Sequence, residues 1–156
     1  MAPGPKQVSS PGPGTRRLIE GALLALATAC GAGHERPPEP ELHRERVALG
    51  ASFVGGRATG LRELLHGDLI VQPPAPDTAL RGRAAAEYLE RLATESRLER
   101  SELLPVSVNR EGGFLLERGG WHVEASGRTL ASRYQIRWRE SPAGWKVVLW
   151  RWTLFR

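Results

Sequence analysis

The sequence predicts an α+β fold, and two patterns carry that prediction. Apolar residues recur at helical spacing through most of residues 41–92, whereas apolar and polar residues alternate with period two through residues 114–155. Short turn sequences rich in glycine, serine and proline separate the segments. Helices followed by a block of strands are typical of folds in which helices pack on one face of an antiparallel sheet. We therefore expect three N-terminal helices against a curved antiparallel sheet.

The first two helices are predicted from apolar residues at helical spacing. Residues 41–54 place Leu42, Leu49 and Phe53 on one face, and two glycines are expected to end this helix. A short, leucine-rich second helix follows, with Thr59 as its predicted N-cap residue.

A third helix and two short strands complete the first part of the domain. Residues 81–92 align Ala85 and Leu89 on one apolar face, and charged residues occupy the opposite side. Strands are predicted at 69–71, before a cluster of prolines, and at 103–109.

The last three strands, at 114–124, 129–139 and 145–154, are predicted to form an antiparallel meander. If Arg139 lies opposite Trp145 across the last turn, Tyr134 lies opposite Trp150, and both face inward. This inner face is the expected core and ligand-pocket side of the sheet. The pocket residues that we predict on it are Trp121, Ser132, Tyr134, Trp150 and Trp152.

The charge of the chain is too mild to predict nucleic-acid binding. Formal net charge is +5, and residues 1–29 supply +2 of it, from three basic residues and one acidic residue. The four histidines show no metal-ligand spacing, and no phosphate-binding glycine loop is present. The sequence therefore predicts neither a metal site nor a cofactor.

Residues 1–29 are typical of a secretory signal peptide, with two arginines before an apolar run of small residues. The end of this run, around Cys30, resembles the lipobox of bacterial lipoproteins. That resemblance implies acylation of Cys30 and an envelope protein whose only contact with the membrane is a lipid anchor. An ordinary signal peptide with a coincidental cysteine is the alternative, and it also places the domain outside the cytoplasm. Residues 30–40 then form a tether, and residues 41–156 the folded domain.

Four groups of residues carry a resemblance to a known superfamily. They are 53–56 (FVGG), 68–74 (DLIVQPP), 80–83 (LRGR), and 133–139 with 144–148 (RYQIRWR and GWKVV). Together with the order of the elements, they resemble the nuclear-transport-factor-2-like superfamily, and within it the SnoaL-like proteins. The resemblance implies a cone with a pocket at its open end, and a homodimer through the outer sheet face. It also implies a choice of functions, because relatives include isomerases, cyclases, dehydratases and proteins that only bind or assemble.

The resemblance also identifies where catalytic residues are expected. SnoaL-like relatives often carry an acid on the last strand, where this chain has Trp150, so a pocket acid is replaced by an aromatic residue. Asp68 matches an acidic position before the first strand, although the favoured explanation is an ordinary residue of the turn from helix to strand. Tyr134 is a candidate hydrogen-bond donor. His122 and Glu124 are expected in an ion network on the outer face rather than in a catalytic dyad.

Three functions remain open at this level. The first is a non-enzymatic binding module for a small, mainly apolar molecule in the cone pocket. The second is a dimerising envelope scaffold without a ligand. The third is an isomerase, cyclase or dehydratase with Asp68 as base and Tyr134 as hydrogen-bond donor.

Overall fold

The computed structural model describes residues 39–74 and 78–154. The predicted signal peptide, residues 30–38 of the predicted tether and the candidate acylation site Cys30 lie outside the described residues. In chain order the elements are α1 (Glu39–Ala51), α2 (Leu61–Leu64), β1 (Leu65–Gln72), β2 (Leu80–Arg81), α3 (Gly82–Ser96), β3 (Arg100–Glu111), β4 (Phe114–Ala125), β5 (Arg128–Ser141) and β6 (Gly144–Leu154).

The α+β prediction is confirmed, with an open, curved, six-stranded sheet in the order β2-β1-β6-β5-β4-β3. One part of the expectation is wrong, because the sheet is mixed: β1 pairs parallel with β6, and the other pairs are antiparallel. Strands β1 and β6 lie far apart in the sequence, so no connecting turn sequence predicts that they pair. The two-residue strand β2 was also not expected, since it is too short to show alternation.

The first two helices begin and end differently from their predicted limits. Helix α1 ends at Ala51, before the two glycines, because the chain turns there: the Ser52 hydroxyl donates to the Leu49 carbonyl at 2.7 Å. Helix α2 has Gly60 as its N-cap residue, in the left-handed region at φ 73°, and not Thr59. Thr59 lies one residue too early to cap the helix.

Helices α1 and α3 bury one stripe each. The stripe of α1 consists of Leu42, Arg46 and Leu49, and Phe53, two residues after the helix, continues it at the same spacing; all four residues are buried. Helix α3 buries small residues beside Leu89, and these let the helix approach β1 closely.

The predicted meander is present. The predicted register of its first hairpin is correct, and that of its second hairpin is wrong. Glu124 lies opposite Thr129 as expected, across a two-residue turn whose Ser126 and Gly127 both have positive φ. In the next hairpin Tyr134 lies opposite Trp152, not Trp150. The turn there contains only two residues, and a bulge interrupts the pairing of β5 with β6. The net shift is two residues in the body of the strands, so the same side chains still face inward.

Candidate functional site

The five predicted pocket residues share the inner face of the sheet. Each is at most 7% exposed, and Trp150 is fully buried. Trp150 lies 5.3 Å from Trp121 and 5.8 Å from Trp152 between ring centroids, and Phe53, just after α1, packs edge-on against Trp150 at 5.3 Å. These rings fill much of the space that was expected to hold a ligand.

One hydrogen-bonding group in this aromatic cluster has no partner. The indole N–H of Trp150 is buried and meets no acceptor among the described residues. The indole N–H groups of Trp138 and Trp145 are buried without an acceptor in the same way, so this feature does not single out a ligand site at Trp150.

A buried ion pair connects α1 to the sheet. The guanidinium of Arg46 donates to both oxygens of the Glu117 carboxylate, from Nε to Oε1 and from a terminal nitrogen to Oε2, each at 2.9 Å. The hydroxyl of Tyr134 donates to the same Oε1 at 2.5 Å. Glu117 is fully buried and the Arg46 side chain is 7% exposed. The bidentate geometry, with the added phenol, makes this group a buried cross-link between α1, β4 and β5.

Sequence reasoning overlooked Glu117, although a signal was present. Glu117 has the same parity along β4 as Trp121, so period-two alternation alone places it on the inner face. Similarly, Arg46 falls within the apolar stripe of α1. The inner face therefore does carry an acidic residue, although the family's position for one is occupied by Trp150. Glu117 lies in the same cross-strand row as Trp150, with Ile136 between the two residues.

Burial raises the pKa of Tyr134 well above its usual range, and the adjacent Glu117 carboxylate raises it further. The phenol is thus held in its protonated form and donates its hydrogen to Glu117. It has the position predicted for it, on the inner face, but its hydroxyl proton is already engaged.

Asp68 lies apart from this inner group. It is within β1 rather than before it, and its side chain is 85% exposed. Its backbone N–H donates to Nδ1 of His66 at 3.1 Å. The structure therefore does not bring Asp68 and Tyr134 into one environment, as a shared catalytic role would need.

His122 and Glu124 lie on the outer face of β4. Glu124 forms an ion pair with Arg100 at 3.6 Å, and Arg100 also pairs with Glu102. His122 lines a small depression with these three residues. This arrangement is the ion network predicted for the outer face. Among the described residues, no group of three or more histidine, cysteine or acidic side chains could hold a metal ion.

A groove between α1 and β3 is the larger of two main concavities in the described part of the chain. We call it the α1/β3 groove; its volume is about 770 Å³. Half of the side chains that line it are apolar; the others include His43 and Arg46 on the helix side and a charged rim on the β3 side. The lining residues used below are Arg46, Val47, Val54, Ser101, Leu103 and Leu104.

Comparison with solved structures identifies the fold. An NTF2-like protein with a cystatin-like fold from Novosphingobium aromaticivorans is 24% identical, covers 91% of this chain and 92% of its own, and superposes with a TM-score of 0.60. The chain has the nuclear-transport-factor-2-like (NTF2-like) fold. No protein-family model matches the sequence, and no curated protein matches it either.

Two further structures with the NTF2-like fold differ in their described roles. A candidate dehydratase of the NTF2-like family from Streptomyces avermitilis is 15% identical, with a TM-score of 0.62 over 75% of this chain and 95% of its own. A candidate calcium/calmodulin-dependent protein kinase type II association domain from Thiobacillus denitrificans is 18% identical, with a TM-score of 0.62 over 73% and 94%. Likeness at these identities establishes the fold and leaves the function open.

The outer sheet face of this NTF2-like fold carries the second main concavity, of about 640 Å³. Five outward-facing polar side chains of β4, β5 and β6 line it, together with Val106 of a bulge in β3. We call this surface the arginine patch and define it by Arg118, Arg133, Gln135, Arg151 and Thr153. None of the helices in the described part of the chain is both long and apolar enough to cross a membrane.

Proposed function

We propose that this NTF2-like domain binds a small, mainly apolar molecule without transforming it, in the α1/β3 groove. The groove has a volume of about 770 Å³, within the range of about 300 to 1,000 Å³ typical of ligand pockets. Its walls expose apolar side chains, with Val47 56% exposed and Val54 and Leu104 each more than a third exposed. Covering such side chains with an apolar ligand removes them from water and stabilises the complex.

The groove adjoins the predicted aromatic pocket. Leu103 lies on the groove wall and pairs across the strands with Trp121. Ser101, also on the wall, accepts a hydrogen bond from the indole N–H of Trp121 at 3.0 Å. A ligand in the groove therefore rests against residues that touch Trp121, whose fluorescence should change when the ligand binds.

The inner polar group favours binding over catalysis. Glu117 is fully buried, and its two oxygens already accept three hydrogen bonds from Arg46 and Tyr134. A general base must reach the substrate proton within hydrogen-bond distance. Asp68 is exposed and Tyr134 is engaged, so no specific observation favours the isomerase, cyclase or dehydratase alternative with these two residues.

The test uses Nile red, a neutral apolar dye, with the full-length chain. We expect saturable binding with enhanced dye emission. Val47→Glu places a carboxylate in the groove and should weaken binding about 10-fold or more, because burying an unpaired charge is costly. The matched control is Leu130→Glu, at a position that is 58% exposed and lines neither main concavity.

Equal dye affinity for Val47→Glu and the native chain would contradict binding in the groove. Native mass spectrometry of the gently extracted protein supplies a second readout. We expect a retained small molecule on the native chain and its loss from Val47→Glu.

We further propose that the domain is SnoaL-like, and that it is exported and anchored in the bacterial cell envelope through acylated Cys30. The support is the sequence pattern of residues 15–31. In a bacterial expression host that processes lipoproteins, the Cys30→Ser variant should leave the membrane fraction. Unchanged membrane association of this variant would exclude acylation at Cys30.

A homodimer through the outer sheet face is the remaining proposal of this group. One solved structure with this fold is described as an association domain, which is consistent with assembly. The same native mass spectrum gives the subunit count. A monomer at micromolar concentration would remove the dimer and the scaffold alternative together.

A further inference from the structure

We propose that the arginine patch on the outer sheet face is a binding site for a phosphate ester group. This site is separate from the α1/β3 groove and does not depend on the function proposed for it. It lies on the face through which the homodimer is proposed, so it requires a subunit contact that leaves the arginine patch exposed.

Strand register brings three guanidinium groups together. Gln135 of β5 lies opposite Arg118 of β4 on one side and opposite Arg151 of β6 on the other. Arg133, two residues before Gln135 on the same face, is diagonal to both of these arginines. Diagonal neighbours on adjacent strands lie about 7 to 8 Å apart, within reach of long side chains. One ligand group can therefore contact several of them.

The described acidic residues of the outer face form their ion pairs with arginines other than Arg118 and Arg151. The ion pairs of the outer face lie to either side of it, where Arg100 pairs with Glu102 and Glu124, and Arg137 pairs with Glu111. Within 39–74 and 78–154, no carboxylate forms an ion pair with Arg118 or Arg151. Arg118 and Arg151 lie on either side of Gln135, so an anion that binds there is attracted by both charges and also accepts hydrogen bonds.

The donors and the available space fit a phosphate better than a carboxylate. Arg151 donates to Oε1 of Gln135, which turns the amide NH₂ of Gln135 away from Arg151 and leaves it as a donor. Guanidinium forks, this amide and the Thr153 hydroxyl offer more donors than two carboxylate oxygens can accept. Gly120, opposite Arg133, has no side chain to fill the outer face at that point. The concavity of about 640 Å³ also has room for the group that carries the phosphate.

The test titrates the full-length chain with inorganic phosphate and with glycerol 3-phosphate at constant ionic strength, and follows the side-chain amide of Gln135 and the backbone amide of Thr153 by NMR. We expect saturable shifts at both residues. In Arg118→Ala/Arg151→Ala the affinity should fall about 10-fold for each arginine removed, as expected for loss of a charge-assisted hydrogen bond.

Two control variants distinguish specific binding in the arginine patch from nonspecific attraction to the positive charge of the protein. Arg57→Ala/Arg128→Ala removes the same charge at two exposed positions outside the patch and should bind phosphate like the native chain. Arg118→Lys/Arg151→Lys keeps the charge without the fork and should bind more weakly than the native chain. Equal loss in the Arg57/Arg128 variant, or full affinity in the lysine variant, would overturn the proposal.

The source of the phosphate group is distinguished by a second arm with vesicles. If the chain binds vesicles of phosphatidylglycerol but not of phosphatidylcholine, and only Arg118→Ala/Arg151→Ala loses this binding, the site exists and its ligand is a lipid headgroup. Binding to the soluble phosphates alone, with the same dependence on the arginines, supports it with a soluble ester. If neither the soluble phosphates nor the vesicles bind, the proposal is wrong. The dye experiment on the groove is independent of that result.

Discussion

The two faces of the same sheet use arginine and glutamate in opposite ways. On the inner face, Arg46 and Glu117 are buried and joined by two parallel hydrogen bonds. On the outer face, Arg100 and Arg137 form exposed, single-contact pairs with glutamates, and Arg118 forms no ion pair within residues 39–74 and 78–154. Inside, desolvation forces each charge to have a matched partner, whereas outside water makes partners optional. The same residue types therefore stabilise the fold on the inner face, whereas on the outer face their side chains are exposed to solvent.

The largest effect should come from removing half of the inner pair. Glu117→Ala leaves the guanidinium of Arg46 buried without its partner, and we expect a loss of about 3 to 5 kcal/mol in the free energy of unfolding. Urea denaturation measures it.

The double variant Arg46→Met/Glu117→Leu removes both charges and is the control for this effect. It should recover most of the stability, because an apolar replacement of a buried pair is often neutral or stabilising. A cost of Glu117→Ala below about 1 kcal/mol, as for an exposed pair, would show that the two faces do not differ in this way.

Two adjacent glycines test how tightly the inner and outer faces of the sheet are packed. A Cβ on Gly119 would overlap the Leu104 carbonyl and lie 2.8 Å from the Tyr134 hydroxyl, whereas one on Gly120 would meet only the mobile ring of His122, at 3.3 Å. We expect Gly119→Ala to cost about 1 to 3 kcal/mol or more, as an overpacked core does. Gly120→Ala should be near neutral, and equal costs in thermal or urea unfolding would contradict the assignment of the two faces.

Alkaline pH should weaken the inner face in particular. The pKa of Tyr134 is raised in the folded state, mainly by burial and then by Glu117, so above about pH 10 the unfolded chain loses this proton while the folded chain keeps it. Stability from this group is therefore complete below about pH 10 and is lost as pH rises beyond it, by up to about 1.4 kcal/mol per pH unit. Tyr134→Phe should remove that part of the slope in urea titrations between pH 9 and 11. An unchanged slope would mean that the phenol ionises freely.

The smallest effect is expected on the outer face. Arg100→Ala breaks two exposed ion pairs, and its cost should stay within about 0.5 kcal/mol, since such pairs contribute little. High salt should hardly change the stability difference between this variant and the native chain, whereas a loss of several kcal/mol would show that the outer network is structural.

Much of this contrast was predictable from local sequence. Period-two alternation placed Tyr134 and Trp150 inside and Arg133 outside, and a two-residue error in the register did not change those faces. The error arose from a bulge and from a turn shorter than expected, features that alternation does not reveal.

Two parts of the site could have been inferred but were missed for a physical reason. Glu117 and Arg46 break the apolar pattern of the inner face and the α1 stripe, and a charge in such a position is normally attributed to the solvent side. Only the three-dimensional pairing shows that each compensates the other. The arginine patch, likewise, depends on the register of three strands, which no single segment specifies.

The parallel pairing of β1 with β6 has a consequence for how the molecule is made. Strand β1 has the two-residue β2 on one side, and its other neighbour is the last strand of the chain. As the polypeptide emerges from the ribosome, β1 therefore waits for almost the whole remaining sequence before its edge is covered. Pairing between distant segments forms slowly because the intervening loop must first be closed. A nascent chain therefore leaves this edge of β1 uncovered until β6 has been synthesised.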